Sequence, residues 1–220
     1  MKKSGIVIPP RKKAWQRSIQ HPEITAPPNA LVPFADQTMT GAWVQDFTYL
    51  KFQDAWYYLT VVLDLKTRQA VGWHLGTRHS SELTFEALLN ALGKHQPPAI
   101  LHSDQGSEYL SHKHRLLCDK LEITLSCSDK GSPWQNGFME SFFSRFKDDL
   151  GNLRQCTDLS QLHEVIALQV HYYNTQRIHT KLKMSPTAYA AQLKQKTATT
   201  TQPALTRPAV SDKLLQKVGA

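Results

Sequence analysis

Two acids in the stretch from His102 to Lys147 have the type and setting for chemistry, Asp104 and Glu140. Asp104 follows the apolar run Pro98, Ile100, Leu101 and precedes Gly106, which puts it at the end of a short buried strand where the chain turns. Glu140 lies in a helical pattern. Phe138, Met139, Phe142, Phe143, Phe146, Leu150 and Leu153 fall within one arc of about 140° at 100° per residue, and Glu140 projects from another side. Lys147 is rotated only about 20° from Glu140 and stands roughly 10 Å further along the axis. An acid and a cation are thus aligned on the flank away from the phenylalanines. Carboxylate oxygens are hard ligands that suit Mg²⁺, and metal-bound carboxylates serve phosphodiester cleavage.

The elements that must hold these groups are legible around them. Gly41 to Phe52 and Ala55 to Leu65 are rich in aromatic and β-branched residues, with Lys51–Asp54 as the turn between them; Gln69 to Leu75 is a third, shorter strand. Ser80, Ser81 and Glu82 open a helix with Leu83, Phe85, Leu88, Leu89 and Leu92 on one face, ended by Gly93 and Pro97-Pro98. Ala99 to His102 is the fourth strand, His112 to Leu121 a helix, and Ile123 to Cys127 the fifth strand. Ser128 to Gly137 reads as a mobile loop. Within it Ser132-Pro133-Trp134-Gln135 has the form of a capping box, while Gly137 argues for a later helix start. A longer helix begins at Thr157 or Asp158, and Ser185-Pro186 starts a last one through Leu193. The pattern alone supports an α/β fold.

Bulk properties narrow the partners. The chain of 220 residues carries a net charge of +8 and a pI of about 9.4, which points to a polyanion, of which nucleic acid is the commonest. Lys2, Lys3, Arg11, Lys12, Lys13 and Arg17 make residues 1–40 a basic N-terminal arm or linker. Residues 194–220 are rich in Thr, Pro and Gln and are expected to be a disordered tail. Cys118, Cys127 and Cys156 form no C-x-x-C pair, so neither a zinc site nor a disulfide framework is expected, and a reducing compartment is. No apolar run reaches membrane-spanning length.

The acids also carry a resemblance. Thirty-five residues separate Asp104 from Glu140, and Lys147 follows seven after the acid. With HSDQGSEY and WQNGFMESFFSRFK around them, this resembles the DDE catalytic core of retroviral integrases and, more closely, of bacterial insertion-sequence transposases of the second-reading-frame type. Trp43-Val44-Gln45-Asp46-Phe47-Thr48-Tyr49 matches that family's W-x-x-D-x-T-Y pattern. Tyr173-Asn174, Arg177, His179, Leu182 and Ser185-Pro186 match its Y-N-x-x-R-x-H-x-x-L ending.

The resemblance implies a ribonuclease H-like fold: a five-stranded mixed sheet flanked by helices, with a core over 41–155 and a C-terminal helical extension over 156–193. It implies Asp46, Asp104 and Glu140 as the catalytic, metal-binding triad for two Mg²⁺ or Mn²⁺ ions. It also implies 3′-end cleavage of a mobile element followed by strand transfer, in the bacterial cytoplasm on nucleoid DNA. The partners implied are element ends and target DNA, further copies of the chain, and no membrane. Lys147 would contact DNA; Lys130, Gln135, Asn136 and Arg145 are weaker candidates. The family usually carries a helix-turn-helix ahead of its core, and residues 1–40 show none. End recognition is then expected from a separate or frameshift-joined subunit, or the chain is a truncated copy. The alternatives are a non-catalytic DNA-binding remnant and a ribonuclease H-like nuclease.

Several groups have blander readings. Asp64, near Lys66 and Arg68, is expected to serve a turn; Glu108 to lie at the surface or beside the site; Asp148 and Asp149 to be solvated. His102 is either packed or beside Asp104. His112 and His114 could pair on a metal only in a strand. Trp134 either stacks on DNA or plugs the loop.

Overall fold

The computed structural model describes residues 26–31, 41–129 and 136–200, with side chains through 197. The basic arm up to residue 25, residues 32–40, the loop 130–135 with Lys130, Trp134 and Gln135, and the tail from 201 lie outside the described residues.

Strands β1 (Ala42–Phe52), β2 (Ala55–Asp64) and β3 (Ala70–Gly76) form an antiparallel meander. Strands β4 (Ile100–Ser103) and β5 (Thr124–Cys127) add to β1 in parallel, giving the order β3-β2-β1-β4-β5. Parallel partners need crossovers, and helices α1 (Ser81–Leu92) and α2 (His112–Lys120) supply them. Ser80 caps α1, its Oγ accepting from Leu83 N as the sequence signal requires.

The alternation of β1 sorts the two faces of the sheet. Val44, Leu50 and Phe52 pack with Val61, Leu63 and Leu65 beneath α3 (Gly137–Leu150) and α4 (Leu159–Thr175). Trp43, Val62 and Val71 pack on the other face against Ala87, Leu88 and Ala91 of α1. Gly72 fixes how close α1 can lie. A Cβ there would sit 2.5 Å from the Ala87 carbonyl and 2.6 Å from Ala91 Cβ. Gly72→Ala is therefore expected to destabilise the fold by about 1–3 kcal/mol, read as a lowered urea midpoint with an unchanged slope.

Met139, Phe142, Phe143 and Phe146 of α3 are buried, and Phe138, Leu150 and Leu153 pack at their margin, as the apolar arc predicts. The Tyr173-Asn174 pair has a structural task. Tyr173 meets Phe142 edge to face at 4.8 Å, and Asn174 clamps Ala70 by accepting from its N–H and donating to its carbonyl, both at 2.9 Å. Helix α5 (Pro186–Thr200) runs on past the expected end at Leu193 and packs on α4. Gln192 to Lys196 are good helix formers, and no glycine or proline intervenes to stop the helix.

Candidate active site

β1 and β4 pair in register through Val44 and His102. Two residues on, along each strand, stand Asp46 and Asp104. The two-residue period puts both on the sheet face that α3 covers. Their carboxyls are close enough to act on one another. Burial, then the neighbouring charges of Asp104 and Glu108, push the Asp46 carboxyl up to about 7, against hydrogen bonds from Phe47 and Asn136 that favour its charge. Burial also raises Asp104, with Glu108 adding to the effect and the Gly106 amide opposing it.

Each carboxylate is held in place. Asp46 Oδ1 accepts from Phe47 N at 2.7 Å, and Oδ2 from Asn136 Nδ2 at 2.8 Å. Asp104 Oδ1 accepts from Gly106 N at 2.9 Å. Behind Asp104, His102 is fully buried, with Ser126 Oγ at 2.8 Å on one ring nitrogen and Ser128 Oγ at 2.9 Å on the other. Burial lowers its pKa to about 4, so it is a neutral tie between the ends of β4 and β5.

Glu140 occupies the first turn of α3 and is exposed. Asn136, four residues earlier, is on the same flank of the helix and touches Asp46. Glu140 thus stands one turn, about 5–6 Å between Cβ positions, beyond a group in the acid pair. Among the described residues no three His, Cys, Asp or Glu side chains are gathered closely enough to hold a metal ion. The structure brings Asp46 and Asp104 together and leaves Glu140 at the rim. Lys147, further along that flank, lies with its ammonium 5.0 Å from the Tyr49 ring centroid, and Arg145 points to the opposite flank.

Glu108 is a group whose place the sequence did not fix. It is buried, its carboxylate folds back over Gly106, and its Oε1 meets His79 Nε2 at 2.8 Å. Any side chain at Gly106 would strike that carboxylate, a Cβ coming within 2.4 Å of Oε1. His79, from the β3–α1 connection, lies against Phe47 with ring centroids 3.9 Å apart and the planes tilted by 31°. Position 79 carried no signal, since only folding brings that loop to Asp104.

The remaining expectations resolve by geometry. Asp64 serves its turn, Oδ1 accepting from Lys66 N, Thr67 N and Thr67 Oγ1. Asp148 and Asp149 are exposed, as expected, and Asp149 also pairs with Arg177, because α4 returns alongside α3. His112 and His114 lie on a helix, so they diverge; His114 is buried and donates to Gln45 Oε1 at 3.1 Å. No metal pair forms there.

Comparison with known proteins agrees with this geometry. The integrase core domain family matches residues 37–133, and a second integrase core domain family matches 121–186. The "Insertion element IS600 uncharacterized 31 kDa protein" of Shigella sonnei is 34% identical over 75% of this chain and 62% of its own length. The "Transposase for insertion sequence element IS904" of Lactococcus lactis is 35% identical over 64% of this chain and 56% of its own. The chain therefore spans about six tenths of the length of these relatives. Among solved structures, the HTLV-2 integrase catalytic core domain in complex with magnesium aligns with a TM-score of 0.58 at 21% identity, over 67% of this chain and 94% of that one. The simian T-cell lymphotropic virus intasome aligns with a TM-score of 0.62 at 18% identity, over 90% of this chain and 66% of that one. At those identities the likeness is one of fold, and the fold is ribonuclease H-like. The two adjoining matches give this chain an integrase core domain spanning residues 37–186, and the relatives that align over it are proteins of bacterial insertion elements.

Proposed function

We propose that the chain is the catalytic core of an insertion-sequence transposase, which cleaves element ends and joins the freed 3′-OH to target DNA. The observation that carries this is the half-buried Asp46–Asp104 pair. Two neighbouring carboxylates whose ionisation burial opposes, with the charge of Asp104 adding to the cost at Asp46 and that of Glu108 at both, offer hard oxygen ligands that fit a divalent cation. Asp46, Asp104 and Glu140 would hold Mg²⁺ or Mn²⁺, two ions in the full site. The metal would supply an activated oxygen nucleophile and neutralise the leaving oxygen.

The chain's own groups do the positioning. Phe47 N and Asn136 fix the Asp46 carboxylate, and Gly106 N fixes that of Asp104. Glu140 completes the set from α3. Lys147, in line with it, contacts the strand near the cleaved end, with Lys130, Gln135 and Arg145 as further DNA contacts. Asn136 has its amide on Asp46 and reaches DNA only through that site. The core of 41–155, with its extension over 156–193, acts as an oligomer on DNA. The basic arm of 1–40 lies along the duplex, and a separate helix-turn-helix subunit reads the element ends. The work would be on nucleoid DNA in the cytoplasm; no described helix is long and apolar enough to cross a membrane.

The test incubates the protein with Mg²⁺, a pre-nicked end duplex and a second duplex. Joined product is the expected result. Hydrolysis without joining makes the chain a nuclease, and no product makes it a DNA-binding remnant.

A further inference from the structure

The flank of α3 opposite Asn136 and Glu140 borders a cavity of about 500 Å³, closed by the β2–β3 turn and the chain after α4. Arg68, Arg145, Arg177 and Lys181 line it, with the hydroxyls of Ser141 and Tyr173, and no acid is among its lining residues. Arg68 is the most constrained of these. Its φ of 62° puts a long side chain in the left-handed region, and its guanidinium lies 4.2 Å from the Phe138 ring centroid. One of its terminal nitrogens, Nη1, is buried without an acceptor. Buried donors are nearly always satisfied, so such an orphan in a basic cavity marks a place for an anion.

His179 reports the same field. Burial first, then the charges of Arg68, Arg177, Lys181 and Arg145, depress its ionisation, and its Nδ1 also lacks a partner. Four cations from three separate segments therefore converge on one point. Arg177 spends its Nε on Asp149, and Asp64 lies close enough to act on Arg68 but is occupied by its own turn. The fork of Arg177 and the free end of Arg68 remain available.

We propose that this cavity is a phosphate seat for a DNA strand that crosses the exposed side of α3 on its way to Asp46 and Asp104. This rests on the reading of the acid pair as a DNA-processing site. The two places flank one helix, about 10–12 Å across, which is about three nucleotides of strand at roughly 3.4 Å rise each. The Tyr173–Pro186 segment would then have a second task beside clamping β3: carrying Arg177, His179 and Lys181 to the strand.

The experiment measures binding of a short labelled duplex by fluorescence anisotropy from about 50 to 200 mM salt. It compares the full chain with Arg145→Gln and Lys181→Gln, both exposed and so safe for folding, and with Arg68→Gln. Each variant is expected to bind about tenfold more weakly, with the salt slope reduced by about one. In parallel, inorganic phosphate is titrated while the ring resonances of His179 are followed, and is expected to shift them. If the two surface variants keep the wild-type affinity and slope while wild type binds the duplex, the proposal is overturned and the reading of the acid pair survives. Phosphate shifts at His179 with an unchanged slope also overturn it, and reassign the cavity to a small free anion. A wild-type chain that binds phosphate there but no duplex overturns the strand and the DNA reading together.

Discussion

Glu140→Gln is expected to lower strand joining by more than about 100-fold, the most that loss of an outer partner of a metal site usually costs, while duplex affinity stays within about twofold. The two readouts separate because they use different groups. Affinity for DNA comes from cations on phosphate, and an amide in place of the Glu140 carboxylate adds or removes none of these. In the proposed site, joining would need the acidic oxygen that Glu140 brings within one helical turn of the Asn136–Asp46 contact. Glu140 is exposed, so the isosteric change leaves packing alone, and the unfolding midpoint should not move. Glu108→Gln is the comparison. Glu108 already sits by the acid pair, bonded to His79, and acts on both aspartates. Joining at the wild-type rate by Glu140→Gln, with loss in Glu108→Gln, would make Glu108 the third acid and remove Glu140 from the site.

That contrast shows where the sequence spoke and where it was silent. The sheet was legible because β1 and β2 are runs of ten or more residues each, rich in aromatic and β-branched side chains and parted by a turn. The apolar arc of α3 predicted which side of that helix is buried, and so which side bears Glu140. Asp46 was a different matter. Periodicity cannot tell it from Asp64, and only the resemblance of its surrounding motif singled it out. Glu108 and His79 were not legible, since their meeting joins two loops 29 positions apart and neither loop has a repeat to read. The sequence makes Asn136 a candidate DNA contact because the loop that bears it borders the site. Its place at the start of α3, aimed at a carboxylate on β1, depends on how the helix docks. The cations of the basic cavity lie in separate sequence neighbourhoods, so their convergence is likewise a product of the fold.

Asp46→Asn is expected to abolish joining and yet to stabilise the metal-free protein. The Asp46 carboxyl titrates near 7 in the folded chain against 3.8 when unfolded. The folded state therefore binds that proton more tightly, and stability from this group is complete below about pH 3.8 and lost as pH rises through 7. Above that, an ionised Asp46 costs up to about 4 kcal/mol, which an uncharged side chain avoids. The neighbours can accept the change. The new amide oxygen at position 46 would still accept from Phe47 N. Asn136 has a buried Oδ1 without a partner, and turning its amide over lets that oxygen accept from the new amide nitrogen. Urea unfolding at about pH 8 without metal should show Asp46→Asn more stable by about 2–4 kcal/mol, and the gain should shrink towards pH 5. Mg²⁺ should then close the gap at pH 8 by stabilising the wild type alone, because only the wild type keeps both carboxylates of the pair. A variant less stable than the wild type at pH 8 would mean that Asp46 is held charged by its hydrogen bonds, and that the pair carries no strain for a metal to relieve.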